Sequence, residues 1–349
     1  MDALDAYVSL VDQPRPEALG EHEVLLRVRS CAVGWVDLLM MSGQYQHMAE
    51  PPYTPGLEYA GEVAAVGSGV QACKEGDAVM VDPFFAGPRT SGSYRAGGFA
   101  SWAVIPERAV MKPPKGYDHD QCCNLLGSYE TAYHCLVARG KLQPGETVLV
   151  HGASGATGLA AVHIAKHIGA TVIATGRSAA KLQAVAQQGA DHVVTTAAPE
   201  GETGIRRFRD EVKALTDGRG VDVVYDGVGG PISIESLRCV RFGARYLIVG
   251  WAATPSVARG AGGRGAPNAN LLPTNLLMMK GLDVLGCPTV ISTQKDPSIR
   301  EQRLAEILAW ANEGAVVPLI GRRYPLEDFA TALRAKWASE CVGAIVLNP

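Results

Sequence analysis

Glu146 to Ser178, ETVLVHGASGATGLAAVHIAKHIGATVIATGRS, reads as strand, glycine turn, helix and strand. Val148, Leu149 and Val150 form a short apolar run, as expected of a strand buried on both faces of a parallel sheet. Gly152, Gly155 and Gly158 follow, spaced three apart, so the backbone can turn sharply and pack the next helix closely on the strand. The helix is expected over 157–168, with Lys166 and His167 at its wet positions and Gly169 as its stop. A second apolar strand over 171–175 completes the unit. A helix start of this kind presents free amides to an anion, so the segment predicts a dinucleotide site. The pattern is G-x-x-G-x-x-G in place of the commoner G-x-G-x-x-G, and it is the flanking strands that make it specific.

The exit of the second strand indicates which dinucleotide. An NAD site places Asp or Glu there to bind the ribose hydroxyls. Here stand Thr175-Gly176-Arg177-Ser178, with Lys181 one helical turn on, and the next acid is Asp191. A guanidinium and a hydroxyl hold a 2′-phosphate through charge-assisted bonds, whereas an acid repels it. The expected cofactor is therefore NADPH, against the alternative that Arg177 and Lys181 are solvated surface cations.

At 349 residues, 47% of them hydrophobic, the chain suits two domains with substantial cores. A net charge of −3 with dispersed basic residues offers no footprint for nucleic acid. The opening MDALDAYVSLVDQP has no basic region followed by an apolar stretch, and no segment approaches the ~20 apolar residues that span a bilayer. The expectation is a soluble cytoplasmic protein. Eight cysteines without a C-x-x-C pair do not form a disulfide framework, and vicinal Cys122 and Cys123 are read as buried thiols.

The first 120 or so residues are rich in Gly, Pro and β-branched residues, with strand signals at 23–30, 58–66 and 78–81. From Gly145 apolar strands alternate with helices, at 148–150, 171–175, 192–195, 221–225, 244–249 and 282–285. That alternation predicts an α/β fold, a Rossmann-type doubly wound parallel sheet beside a β-rich domain. A helix is expected over 298–312, and 319–349 again mixes strand and helix. The stretch 259–270, RGAGGRGAPNAN, is too glycine-rich to pack a core and is read as a surface loop.

Several segments, in order along nearly the whole chain, resemble a known family: CAVGWVDLLMMSGQY, PPYTPGLEYAGEVAAVGSGV, GDAVM, GGFASWAVIP, ETAYHCL, PGETVLVHGASGATGLAAVHIAK, FGARYLIVGW and YPLEDFATAL. The pattern resembles the zinc-independent quinone oxidoreductase branch of the medium-chain dehydrogenase/reductase superfamily. The resemblance implies a discontinuous GroES-like catalytic domain, residues 1–124 and 320–349, around a Rossmann NADPH-binding domain, 125–319, with the active cleft between them. It also implies a homodimer joined by the edge strands of the nucleotide domains, here 282–286.

The resemblance carries over site residues too. Ser154, Gly155, Ala156 and Thr157 match the pyrophosphate turn, and Arg177, Ser178 and Lys181 the 2′-phosphate region. Val249-Gly250-Trp251, Cys287-Pro288-Thr289 and Thr131 match segments beside the nicotinamide. Metal-dependent relatives bind zinc where this chain has Gly34 and Leu57, and they carry a cysteine-rich loop that is missing here, so no metal is expected. His163 and His167 lack the Glu of H-E-x-x-H and are read as a helix surface or core edge. Departures fall at Gly34, where relatives often have Asn, at Leu39, often Tyr, and at Gly343-Ala344, often Gly-Lys; all three bear on the substrate pocket.

Without a metal Lewis acid, alcohol oxidation is poorly served. Hydride donation to an electron-poor carbon needs stacking, excluded water and a donor for the developing oxyanion. The expected substrate is therefore a quinone or an α,β-unsaturated carbonyl. Tyr45 is the candidate catalytic donor or stacking ring, with Trp35 and Tyr53 as pocket candidates; each has core packing as its alternative. No tyrosine has a Lys four residues on, which excludes the short-chain dehydrogenase pair. Two further readings stay open: an enoyl or alkenal reductase, thioester substrates included, and a non-catalytic NADPH-binding protein.

Overall fold

A computed structural model describes residues 7–45, 49–88, 96–252 and 270–349. Residues 259–269 of the expected glycine-rich loop lie outside the described residues. The chain forms two compact units, Met1–Leu126 with Pro318–Pro349, and Gly127–Val317. These divisions lie two residues from the expected ones, at 124/125 and 319/320.

The first unit is built on strand β1 (Glu23–Ala32), longer by two residues than its sequence signal. Its inward residues Val24, Leu26 and Val28 are buried, and burying each such side chain stabilises by about 1.5–3 kcal/mol. Gly34 then opens helix α1 (Trp35–Met41). Strands β2 (Tyr59–Val66) and β3 (Ala78–Val81) continue the sheet on one side of β1. Strand β4 (Trp102–Pro106) pairs antiparallel with β1, and the short β5 (Val110–Met111) pairs with β3. Helix α2 (His119–Cys122) carries Cys122, and both vicinal thiols are buried and free.

The second unit begins with helix α3 (Leu126–Tyr133), which runs on as a π-helical stretch, His134–Arg139. Strand β6 (Thr147–His151) is buried at every position. Helix α4 (Ala156–Ile168) ends at Gly169, whose φ of 92° lets its amide reach back to Ala165 and Lys166. Strand β7 (Thr171–Gly176), helix α5 (Ala179–Gln187), strand β8 (His192–Thr195) and helix α6 (Arg209–Ala214) follow. Strand β9 (Val221–Asp226), helix α7 (Pro231–Ser236) and strand β10 (Val240–Ile248) come next. Helix α8 (Thr274–Lys280), edge strand β11 (Asp283–Gly286), helix α9 (Thr289–Lys295) and helix α10 (Ser298–Asn312) complete the unit.

All five pairings in this sheet are parallel, in the order β11-β10-β9-β6-β7-β8. The chain reverses direction across the sheet between β6 and β9, which makes their carboxyl ends the switch point of a doubly wound sheet. Strand β10 starts four residues before its apolar signal at Ala244. Val240 already pairs with Val221, and a register shift before Arg245 absorbs the polar Arg241 and the bend at Gly243.

The last segment returns to the first unit. Strands β12 (Ile320–Pro325) and β13 (Ala344–Asn348) pair parallel, and β13 lies antiparallel to β1, with Cys31 opposite Leu347. Helix α11 (Phe329–Trp337) lies between them in sequence and buries Ala332, Leu333 and Ala335 in the same core as Val24 and Leu26. The seven-stranded sheet therefore needs both ends of the chain.

Candidate functional site

The carboxyl ends of β6, β7, β10 and β11 lead directly into four of the expected cofactor segments, 154–157, 177–178, 249–251 and 287–289. After β6 the backbone turns at Gly152, with φ of 65°, a conformation glycine adopts without steric cost. A Cβ on Gly158 would lie 2.3 Å from the Gly152 carbonyl oxygen and 2.7 Å from Ala153 Cα, so only glycine lets α4 pack this closely on the turn. A Cβ on Gly155 would meet nothing nearer than the Gly152 oxygen at 3.6 Å. The turn is therefore tight towards the sheet and open on the side where a pyrophosphate would approach. Gly155 is the helix N-cap, and the amides of the first turn, from Ala156 and Thr157 onwards, have no partner inside the helix. Ser154, Ala156 and Thr157 are half-buried and Gly155 is exposed. This cradle fits a dinucleotide diphosphate by shape and by dipole.

After β7, Arg177 is exposed and Ser178 half-buried. Ser178 caps α5, its Oγ accepting from the Lys181 amide at 3.4 Å. That geometry leaves the hydroxyl proton available as a donor. No carboxylate stands at the strand exit; Asp191 lies beyond α5 and is held by Lys166 at 2.8 Å.

The third edge segment, Val249-Gly250-Trp251, is tied to the end of β9: the amides of Val249 and Gly250 donate to the Asp226 carbonyl at 2.9 and 3.2 Å. Trp251 is exposed. Cys287 follows β11, its amide donating to the Ile248 carbonyl at 3.1 Å, and Thr289 opens α9. The Cys135 thiol hydrogen-bonds Cys287 and holds that thiol below its ordinary range, against the effect of burial. Thr131 is half-buried on α3.

A buried polar group under this edge escaped the sequence reading. The Asp226 carboxylate accepts from the amides of Val228 and Gly229 at 2.8 and 3.0 Å, from Ser233 Oγ at 2.5 Å and from Tyr246 Oη at 2.6 Å. Asn270 continues it, accepting from the Gly230 amide at 3.0 Å. Beside it His151 hydrogen-bonds Thr175 and Ser236 at 2.7 and 2.6 Å. Burial pushes the His151 pKa down, partly opposed by Asp226, which keeps the imidazole neutral. The group fixes the turn after β9 at the switch point. The available signal was an acid ending an apolar strand and followed by G-V-G-G.

In the first unit, Tyr45 is buried with Met40, Ala49 and Leu57, and Tyr53 packs on the same cluster. Burial, aided by Asp37, pushes the Tyr53 phenol up to about 12, and its hydroxyl is buried without a partner among the described residues. Trp35 lies elsewhere, stacked on Trp337 at 5.5 Å and packed on the main core. Buried Asp37 accepts from the amides of Gly34 and Gly56 at 3.0 and 3.2 Å. A Cβ on Gly34 would sit 2.9 Å from the Asp37 carboxylate, which accounts for glycine there. Leu57 is buried and apolar. Among the described residues no three His, Cys, Asp or Glu side chains converge as a metal site requires.

Of the histidine pair, His163 bonds the Tyr129 hydroxyl at 2.7 Å and His167 packs against Trp310. Among the described residues no helix is long and apolar enough to cross a membrane.

Comparison with known proteins agrees with this architecture. The family described as alcohol dehydrogenase GroES-like domain matches residues 20–115, and that described as zinc-binding dehydrogenase matches residues 156–302. A quinone oxidoreductase-like protein 2 of Bos taurus is 31% identical over 97% of this chain and 88% of its own length. A solved mycobacterial protein complexed with NADPH superposes with a TM-score of 0.76 and 29% identity, covering 97% of this chain and 95% of that one. A solved NAD-dependent alcohol dehydrogenase superposes with a TM-score of 0.78 and 27% identity, covering 97% and 95%. The chain belongs to the quinone oxidoreductase-like proteins of the medium-chain dehydrogenase/reductase superfamily.

Proposed function

We propose that the protein is an NADPH-dependent oxidoreductase that delivers hydride to a quinone or α,β-unsaturated carbonyl without a metal. The observation that carries this reading is the Arg177-Ser178 pair at the exit of β7, where an acid would select NADH. The reduced nicotinamide supplies the hydride when bound. The chain's own part is to hold it: the α4 amides and Ser154–Thr157 bind the diphosphate, and Arg177, Ser178 and Lys181 bind the 2′-phosphate. Thr131, Val249–Trp251 and Cys287–Thr289 flank the ring and exclude water from it. Tyr45 donates a hydrogen bond to the oxygen that gains charge, and Tyr53 shapes the acceptor pocket.

The positions that hold zinc in metal-dependent relatives are Gly34 and Leu57, neither of which offers a lone pair, which supports a metal-free reaction. The eight free cysteines suit a reducing compartment such as the cytoplasm. Among the described residues edge strand β11 has a partner on one side only, and Phe242, Met278 and Met279 near it are 76%, 75% and 66% exposed. An apolar edge of this kind supports a homodimer joined through β11.

The test is NADPH and NADH oxidation measured side by side with 1,4-benzoquinone, a trans-2-alkenal and crotonyl-CoA. Turnover of benzoquinone with NADPH is expected. Preference for the alkenal or the thioester would move the assignment to an enoyl or alkenal reductase. Tight NADPH binding with no turnover on all three would leave a non-catalytic binding protein.

A further inference from the structure

One face of the second unit carries a cationic cleft that the dinucleotide reading does not use. Glu130 on α3 is buried, and so are Arg300 and Arg303 on α10. The single carboxylate accepts from both guanidiniums: from Arg300 Nε and Nη2 at 2.9 and 2.8 Å, and from Arg303 Nε at 2.9 Å. Arg303 Nη2 also donates to Thr293 Oγ1 at 2.7 Å. Among the described residues Arg303 Nη1 has no partner, although the side chain is only 1% exposed. A buried N–H left without a hydrogen-bond partner is costly, and native proteins rarely keep one without a reason.

Arg303 lines a cleft of about 270 Å³ together with Tyr133, His134, Ala138, Arg139, Ser292 and Ile299. The charged side chains of this lining are Arg303 and Arg139; it contains no acid. Two acids stand beside it, Glu130 on Arg303 and Glu306, to whose carboxylate the Tyr133 hydroxyl donates at 2.8 Å. Arg139 is held by a bond from its Nε to the Gly286 carbonyl at 3.2 Å. His134 Nε2 is a second buried atom without a partner among the described residues. Burial, with help from Arg303 and Arg139, pushes the His134 pKa down to about 4, so the ring stays neutral in positive surroundings. His134, Ala138 and Arg139 all belong to the π-helical stretch, a distortion that recurs at functional sites.

With one carboxylate shared by two guanidiniums the cluster keeps an excess positive charge, and water can satisfy an orphan N–H but does not balance that excess. Pockets for drug-sized ligands run from about 300 to 1,000 Å³, so this cleft suits something smaller. We propose that it is a binding site for a small oxyanion, a phosphate or carboxylate group, held by the guanidiniums of Arg303 and Arg139 with His134 as a further hydrogen-bond partner. The rings and methyl groups of Tyr133, Ala138 and Ile299 pack against whatever short apolar body the anion carries.

The test is calorimetric titration of the whole protein with inorganic phosphate and with acetate at constant ionic strength, with chloride as the control. Two variants isolate the cleft. Ala138→Trp fills it from a solvent-exposed position and keeps every charge, and Arg139→Gln removes one cation outside the Glu130 cluster. One saturable site is expected for phosphate, for acetate or for both, at least tenfold weaker in each variant that keeps the wild-type melting temperature. The stronger of the two anions identifies the head group. Chloride matching both oxyanions, no saturable binding, or affinity unchanged in the variants would overturn the proposal. A phosphate site elsewhere, such as the one assigned to Arg177, would persist in both variants and so count against this cleft. If Ala138→Trp fails to fold, Arg139→Gln decides alone.

Discussion

The carboxyl edge of the parallel sheet and the Tyr45 cluster of the first unit both carry proposed chemistry, but they specify it by different means. At the sheet edge the backbone does most of the work: a tight turn, a helix start and a cradle that a Cβ would fill. In the Tyr45 cluster every proposed contact depends on a side chain that also packs a core. Backbone sites tolerate few substitutions and are legible from glycine spacing. Side-chain sites tolerate many, and their function rests on one or two polar atoms.

Substitution in each region can break or sharpen this contrast. The largest effect is expected for Gly158→Val. Its Cβ meets the Gly152 carbonyl at 2.3 Å, so overpacking should cost about 1–3 kcal/mol, and NADPH binding should disappear. Thermal melting and cofactor fluorescence check both, and normal cofactor binding would refute the cradle. Tyr45→Phe comes second. As the oxyanion donor, Tyr45 should be worth about 10²-fold in kcat with little change in the KM for NADPH. A loss of stability with kcat intact would assign it to packing alone.

The smallest effect on the cofactor is expected at the opposite, amino end of the same sheet, where β6 and β9 begin. Asp222 accepts from the Thr147 amide at 2.8 Å and from Arg219 and Arg241 at 2.9 and 2.5 Å. Burial alone would push its pKa up, but these bonds and charges outweigh it and hold the carboxyl below its ordinary value. A group depressed in the folded state binds fewer protons there than in the unfolded chain. Its stabilisation is therefore present above the ordinary carboxylate range, near pH 4, and is lost as pH falls through the folded value. Asp222→Asn should cost about 1–3 kcal/mol at neutral pH and flatten the acid limb of a pH–stability curve. An acid limb of unchanged slope would exclude Asp222 as a contributor.

The same contrast explains what the sequence made legible. Strand β7 and helix α4 match their expected spans to within a residue, because apolar runs and glycine stops are local signals. The cluster of Asp226, His151 and Tyr246 was not visible. It joins the ends of strands that lie about 75 and 20 residues apart in the chain, and no local pattern encodes such partners. Glu130 with Arg300 and Arg303 was hidden for the same reason, 170 residues separating the first pair. Trp35 shows the limit for aromatics: sequence offers its ring as a pocket wall, whereas only the fold reveals that Trp337 stacks on it.

The central claim is that Arg177 and Ser178 select the phosphorylated dinucleotide, and the most direct test is kcat/KM for NADPH and for NADH in the wild type and in Arg177→Ala, with 1,4-benzoquinone as acceptor. Loss of a charge-assisted contact worth about 1.5–3 kcal/mol predicts a drop of roughly 10- to 100-fold for NADPH and little change for NADH. An equal drop for both cofactors, or a wild type that prefers NADH, would contradict the account.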